Sequence, residues 1–447
     1  MKLKAIAIAL GVASAVSFAN ADVNSQLSSL QAQVNQLQSQ VGSMGSGSGS
    51  MAGVVGLNSN LSMQMMSNES GVGKELNLLQ ARQNGMNQVL TMGGFVQADA
   101  VYDRSNPQGS FINPVINKAA GASSTVNSGT NIELTDASLA TTAEMGSWAT
   151  GFVQFGQSIV GSSASPGFGI QNAYVVLGNL SQMPVYGFVG DKDIDFGSFA
   201  TTDMYNQPLN RTLFQAHGST VGVGVNAYGF NGVLSLINGG AESATATSVG
   251  SAYQYSNLKT STASKADNGA LNLSYGMTNG PVTWNLGAGY LAGSSFQQQT
   301  QDKTNGAWDV NGKVSAMGFD LLGEYDTTAN KTNLTGNQRA QAWNIGADYN
   351  FPVMGYKSVV NADYSGASLT NTTAGKGSQY VLGYRVAPLN NVWVGLEYAY
   401  TSGIANFYGV ANAAGTGTPS GININNGSTN VGNISNSTVA LDLTAAF

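Results

Sequence analysis

Asp191-Lys-Asp-Ile-Asp195 sets three carboxylates and one ammonium within five residues, and Asp203, Arg211 and His217 follow downstream. Charges lining a restricted aqueous space act at short range, so such a segment could select among passing ions. The alternating Asp run also invites a calcium reading. A helix–loop–helix calcium loop needs Gly at its sixth position and Glu at its twelfth. Counted from Asp191, those positions hold Phe196 and Thr202, so no metal is expected there. Catalysis has little to draw on. His217 is the only histidine, so a Ser–His or Asp–His hydrolase would have to use it, with Ser219 two residues away. No enzyme and no cofactor are expected. Val221-Gly-Val-Gly-Val225 is rich in glycine, but its three valines share one parity, which makes it a strand rather than a phosphate loop.

The scaffold that must position these residues is written in the period of the chain. In Ser437-Thr-Val-Ala-Leu-Asp-Leu-Thr-Ala-Ala-Phe447, the residues Val439, Leu441, Leu443, Ala445 and Phe447 fall on one parity, and Thr438, Asp442 and Thr444 on the other. That is a strand with one apolar and one polar face. A closing strand of this kind with a terminal aromatic, here Phe447 as assembly signal, predicts a barrel, because lipid leaves no backbone group unsatisfied. Composition agrees. Charged residues make up 9% of the 447, against roughly 25% in soluble proteins. No apolar run after the N-terminus reaches the ~18 residues of a membrane helix. The absence of cysteine excludes disulfides and thiolate metal sites, and the net charge of −6 disfavours nucleic acid as a partner.

Residues 1–21 read as a secretory signal, with Lys2 and Lys4, apolar Ala5–Phe18 and small residues at Ala19 and Ala21. In 22–44, Val23, Leu27, Leu30, Val34, Leu37, Val41 and Met44 are spaced 4-3-4-3-4-3. This predicts a short periplasmic coiled coil, the alternative being a lone amphipathic helix on the barrel rim. Residues 45–89 read as a Gly/Ser-rich linker, with a short helix within 73–89. From 90 to 447 the period is two, and sixteen antiparallel strands are expected. They fall at 90–102, 131–143, 148–157, 170–178, 184–191, 219–227, 232–239, 268–277, 282–291, 306–315, 319–326, 339–349, 356–364, 380–386, 392–401 and 437–447. The gaps alternate strictly between short and long, as periplasmic turns and external loops do. The fold class is therefore all-β: a 16-stranded antiparallel transmembrane barrel with a short N-terminal coiled-coil helix. On the more apolar parity lie Leu271, Trp284, Leu286, Tyr290, Trp343, Ile345, Leu382 and Leu396. Asp309, Lys313, Asp320, Glu324, Asp348, Lys357, Asp363, Arg385, Glu397 and Asp442 take the opposite one and are expected to line the lumen. Seven acids against three bases would favour cations weakly. Strands two to five alternate less cleanly. The segment after strand five, 192–218, is expected either to fold inward as a constriction built from Asp191, Lys192, Asp193, Asp195, Asp203, Arg211 and His217, or to stay outside as a solvated loop.

Gly93-Gly-Phe-Val-Gln-Ala-Asp-Ala-Val-Tyr102 as first strand, Val189-Gly190, Phe196-Gly197-Ser-Phe199 and Pro208-Leu209 resemble segments of the LbtU-type siderophore porin family. That resemblance implies an outer-membrane barrel with a periplasmic coiled coil, taking part in iron–siderophore uptake without a plug. Phosphate-selective porins share the coiled coil and a glycine–phenylalanine–glycine segment, but Asp191, Asp193 and Asp195 stand where an anion channel would carry bases. The expected function is diffusive passage of small solutes. The expected partners are outer-membrane lipid, the outer-membrane assembly machinery, a small solute that the resemblance suggests is a ferric siderophore, and further copies of the chain, with a trimer borrowed from porin precedent. The alternatives are a structural or adhesion barrel that displays its external loops, and a general or phosphate-type porin.

Overall fold

In a computed structural model, the structure describes residues 55–67, 69, 71, 73–83, 89–106, 127–158, 169–238, 256–257, 266, 268–294, 305–331, 338–368, 376–403 and 435–447. The expected signal peptide, coiled coil and Gly/Ser tether, and most of the segments 240–267 and 402–436, lie outside the described residues. Sixteen long strands build the wall: β1 Leu90–Asn106, β2 Ser128–Met145, β3 Ala149–Ser158, β4 Gly169–Gly178, β5 Val185–Asp193, β6 Ala216–Ala227, β7 Phe230–Ile237 and β8 Asn268–Asn279. There follow β9 Val282–Leu291, β10 Ala307–Ala316, β11 Phe319–Thr328, β12 Gln341–Val353, β13 Tyr356–Ser368, β14 Lys376–Leu389, β15 Val392–Ser402 and β16 Ser435–Ala446. Each pairs antiparallel with the next, and β16 pairs with β1, for example Leu441 with Ala100, so the sheet closes on itself. Two short strands, Val55–Leu57 and Ser256–Asn257, accompany this wall.

Most strands run past the apolar stretch that marks them in the sequence. β1 continues through Asp103, Arg104, Ser105 and Asn106, and β13 through Ser365–Ser368. The ladder goes on where hydrophobic alternation has stopped, because backbone pairing does not depend on side-chain type. Between strands, Tyr228-Gly229, Met317-Gly318 and Met354-Gly355 are two-residue turns with both residues at positive φ. That conformation matches the twist of tight hairpins. At Gly229 a Cβ would lie 2.2 Å from the Gly276 carbonyl oxygen, so only glycine fits.

The outer face is apolar, with aromatic pairs bridging neighbouring strands: Phe319 on Tyr349 at 4.2 Å, Tyr290 on Trp308 at 4.3 Å and Tyr364 on Tyr380 at 4.3 Å. The inner face of β1–β5 carries an apolar patch as well, for a reason the sequence hid. Helices α1 (Ser59–Met66) and α2 (Lys74–Gln83) lie against it. Leu61, Met65, Met66, Leu78 and Leu79 pack on inward Phe95, Phe152, Tyr174, Val176, Tyr186 and Phe188. Burying each large apolar side chain contributes about 1.5–3 kcal/mol. With both faces covered by apolar partners, the two-residue contrast of β2–β5 fades. The Asn58 side chain caps α1 by accepting from Leu61 N at 3.0 Å.

Two adjacent glycines join these parts. A Cβ on inward Gly93 would sit 1.6 Å from Ser62 Oγ on α1, and one on outward Gly94 would sit 2.1 Å from Phe447 Cζ. Gly94 and Phe447 also exchange backbone hydrogen bonds of 2.7 and 2.9 Å.

Candidate functional site

The segment after β5 folds into the barrel. β5 runs to Asp193 and β6 begins at Ala216, so the loop is 194–215 rather than 192–218. Ile194, Phe196, Phe199, Leu209, Leu213 and Phe214 are buried against small wall residues, Ala270, Ala307, Ala342 and Ala367 among them. Alanine there leaves room inside the ring for the loop's large side chains. The helix α3 (Leu209–Phe214) forms the loop's return.

Carboxylates of the wall hold the loop through its backbone. Glu324 accepts from Ser198 N at 2.7 Å and Phe199 N at 2.9 Å. Glu397 is fully buried and accepts from Met204 N (2.6 Å), Tyr205 N (3.1 Å), Asn206 N (2.8 Å) and Asn206 Nδ2 (2.8 Å). Asp348 accepts from Thr202 Oγ1 at 2.5 Å, and Asn361 donates to Asp203 at 2.9 Å. On the facing side, Gln97 Nε2 donates to Met204 O at 2.7 Å and Tyr205 donates to Glu133 at 2.7 Å. Gly197, at φ +75°, is the close-approach point, since a Cβ there would lie 2.6 Å from Glu324 Oε1. Hydrogen bonds to charged acceptors are worth about 1.5–3 kcal/mol each. The loop is therefore pinned, and its pins are the wall acids.

Of the seven acids expected on the lumen wall, Asp309, Glu324, Asp348, Asp363, Glu397 and Asp442 are buried. Asp320 is 23% exposed, paired at 3.3 Å with Lys313, which is 48% exposed, and Lys357 is exposed as well. The excess of acids on the inner wall is thus largely out of water, while two of its three bases face it. Arg385 is mostly covered, stacked 4.8 Å from the Trp393 ring centroid and 2.5 Å from Glu69. With Asp442, these residues border a cleft of about 50 Å³ between the wall, the loop and the chain that follows α1.

The Asp run splits three ways. Asp191 shares the outward parity of Val185 and Val189 and is 52% exposed. His217, in register with Asp193, lies between Asp191 (Nε2, 3.0 Å) and Asp193 (Nδ1, 3.1 Å). Both ring nitrogens are thus taken by carboxylates, and Ser219 faces Asp191 across the ladder. Asp195 turns the other way. Lys192 bridges it at 2.6 Å to Glu75 of α2 at 3.0 Å, all three buried. Burial first, then the Glu75 carboxylate, pushes Asp195 up to about 7, against the pull of Lys192. Asp203 is likewise pushed up by burial and by Asp363 and Glu397. On α2, burial lowers Lys74 to about 8, and its ammonium reaches Met65 O at 2.8 Å. Arg211 donates to Phe199 O at 3.0 Å, within the loop. Sequence reasoning missed Glu75, Lys74, Asn206 and Asp326. Asp326 alone carried a signal, the shared parity with Glu324.

No protein-family model matches the sequence, and no curated protein matches it. Solved structures do. The chain is similar to OmpF of Salmonella typhi in complex with daunomycin, at 13% identity over 80% of this chain and 97% of that one, with a TM-score of 0.50. It is also similar to OprB of Pseudomonas putida at high pH, at 9% identity over 85% and 98%, TM-score 0.50, and to an anion-selective porin from Comamonas acidovorans, at 13% identity over 80% and 99%, TM-score 0.49. The fold is the closed sixteen-stranded antiparallel barrel of porins.

Proposed function

We propose that this chain is an outer-membrane porin through which small solutes diffuse, with the loop 194–215 as the constriction. The observation that carries the reading is the loop pinned inside the ring by Glu324, Asp348 and Glu397. An apolar outer belt against a charged inner wall supports the membrane setting. In this reading Asp195, Asp203 and Arg211 brace the constriction, and Lys313, Asp320 and Lys357 meet the solute. The signal peptide, the periplasmic coiled coil, oligomerisation and assembly through Phe447 remain parts of the same proposal. Ferric siderophore is the cargo suggested by the family resemblance. A second reading, a non-conducting barrel that displays its external loops, is favoured by the filling of the lumen by α1, α2 and the loop. Recording from purified protein in planar lipid separates the two. Discrete, ohmic conductance steps are expected, and their absence from refolded, heat-modifiable barrels would favour the display reading. Uptake of labelled ferric siderophore into cells with and without the chain tests the cargo.

A further inference from the structure

We propose that Asp309, Glu324 and Asp326, together with the Asn210 side-chain carbonyl, form a divalent-cation site, with calcium the best fit, that fastens the inward loop to β10 and β11. One carboxylate oxygen from each of the three acids lies within 4.8 Å of the others, and all three residues are buried. Their hydrogen-bonding partners are neutral. Asn311 Nδ2 reaches Asp309 Oδ1 at 2.6 Å, backbone N–H groups reach Glu324, and Asn210 Nδ2 reaches Asp326 Oδ2 at 3.2 Å. Asp309 Oδ2 and Asp326 Oδ1 are left without a partner.

The independent observation comes from the loop. Asn210, on α3, is 1% exposed; its Nδ2 faces Asp326 and its Oδ1 is buried without a partner, so a half-turn of the amide would present that oxygen to the cluster. Two carboxylate oxygens of the cluster and the amide oxygen of the adjoining Asn210 therefore lack a donor. Acceptors alone, carrying formal negative charge, are what a hard cation satisfies. Coordination chemistry selects the ion. Oxygens on opposite sides of calcium, each about 2.3–2.6 Å from it, are about 4.6–5.2 Å apart, and calcium accepts irregular sets of carboxylate and amide oxygens. Magnesium demands near-ideal octahedral geometry and keeps several waters, which a buried cluster does not offer. An all-oxygen donor set disfavours zinc and copper. The inference stands apart from the transport reading, since it concerns how the loop is held whatever passes it.

The test uses the full chain, purified in detergent, stripped with EDTA and titrated with Ca²⁺ by equilibrium dialysis. One ion per chain is expected. Asp309→Asn and Asp326→Asn should each weaken binding by ~10-fold or more, because a charged ligand is lost. Glu144→Gln, at the distant Arg82 pair, should leave it unchanged. Folded variants that bind as the wild type does, or a wild type that takes up no stoichiometric calcium, would overturn the site. The second result would mean that the carboxylates share protons instead. Should the Asp variants fail to fold, Tb³⁺ luminescence of the wild type against Asn210→Ala carries the test. Emission displaced by Ca²⁺ and weakened in Asn210→Ala supports the site, and equal emission overturns it.

Discussion

Replacing Glu397 with Gln probes how the loop is seated, because it keeps the side chain's shape and removes half its acceptor capacity. Each carboxylate oxygen of Glu397 receives two N–H groups from residues 204–206. The amide of Gln can present its oxygen to only one of these pairs, and its NH₂ then points at two donors. Leaving a buried donor unmatched costs about 1–3 kcal/mol, so the pair loses about 2–6 kcal/mol. Water already in the lumen recovers part of this, which favours the lower end. Even ~2 kcal/mol raises the population of an unseated loop by ~30-fold.

The assay exploits the absence of cysteine from the chain. Thr201 is 2% exposed, so a cysteine at that position should react slowly with a small maleimide while the loop is seated. In the Glu397→Gln background its labelling should accelerate by ~10-fold or more, with added current noise in planar lipid. Glu397→Asp should fall between the two. Labelling within about twofold of the parent in correctly folded barrels would refute the view that this carboxylate holds the loop.

Gly93→Val should eject α1 by collision with Ser62 while the barrel still closes, seen as protease sensitivity confined to residues before 90. Gly94→Val should instead displace the Phe447 ring and lower the temperature at which the folded band is lost in heat-modifiability gels; an unchanged band would refute the packing. Lys313→Gln with Lys357→Gln should move the reversal potential in a salt gradient toward cations, and Asp191→Asn, on the outward face, should not move it. The α2 contact should loosen with rising pH. Asp195 holds its proton to about 7 in the folded chain against an ordinary 3.8, so its contribution is complete below 3.8 and is lost as pH passes through about 7. Intrinsic-rate-corrected amide exchange of Lys74–Gln83 should therefore be faster at about pH 8 than at about pH 5, and Glu75→Gln should flatten the difference. Equal protection in the parent would remove the basis for the coupling.

The wall was legible in the sequence because lipid and water impose a two-residue period, and a slip of one position would turn every side chain to the wrong face. The inward parity of Glu324, Asp348, Asp363 and Glu397 could be read in this way. What they hold could not, since backbone N–H donors are the same at every position and leave no mark in residue type. The loop's ends were misplaced by a few residues for a related reason. Asp193 and His217 look like loop charges, yet they face each other as the last pair of the β5–β6 ladder.

Strands β2–β5 carry the larger lesson. Their weak alternation follows from a buried inner face: Phe152, Tyr174, Val176, Tyr186 and Phe188 serve α1 and α2 as a soluble core would. α1 has only eight residues and would be marginal alone in water. Its stability comes from a surface assembled by strands far along the chain, so no local pattern could announce it. The same division separates the two halves of the ring. The early strands clasp the helices by apolar contact, and the later ones grip the loop through Glu324, Asp348 and Glu397, with Gln97 and Glu133 meeting it from β1 and β2. The Glu75–Lys192–Asp195 bridge ties the helices to the loop, so what displaces α2 should be felt in the loop's seating.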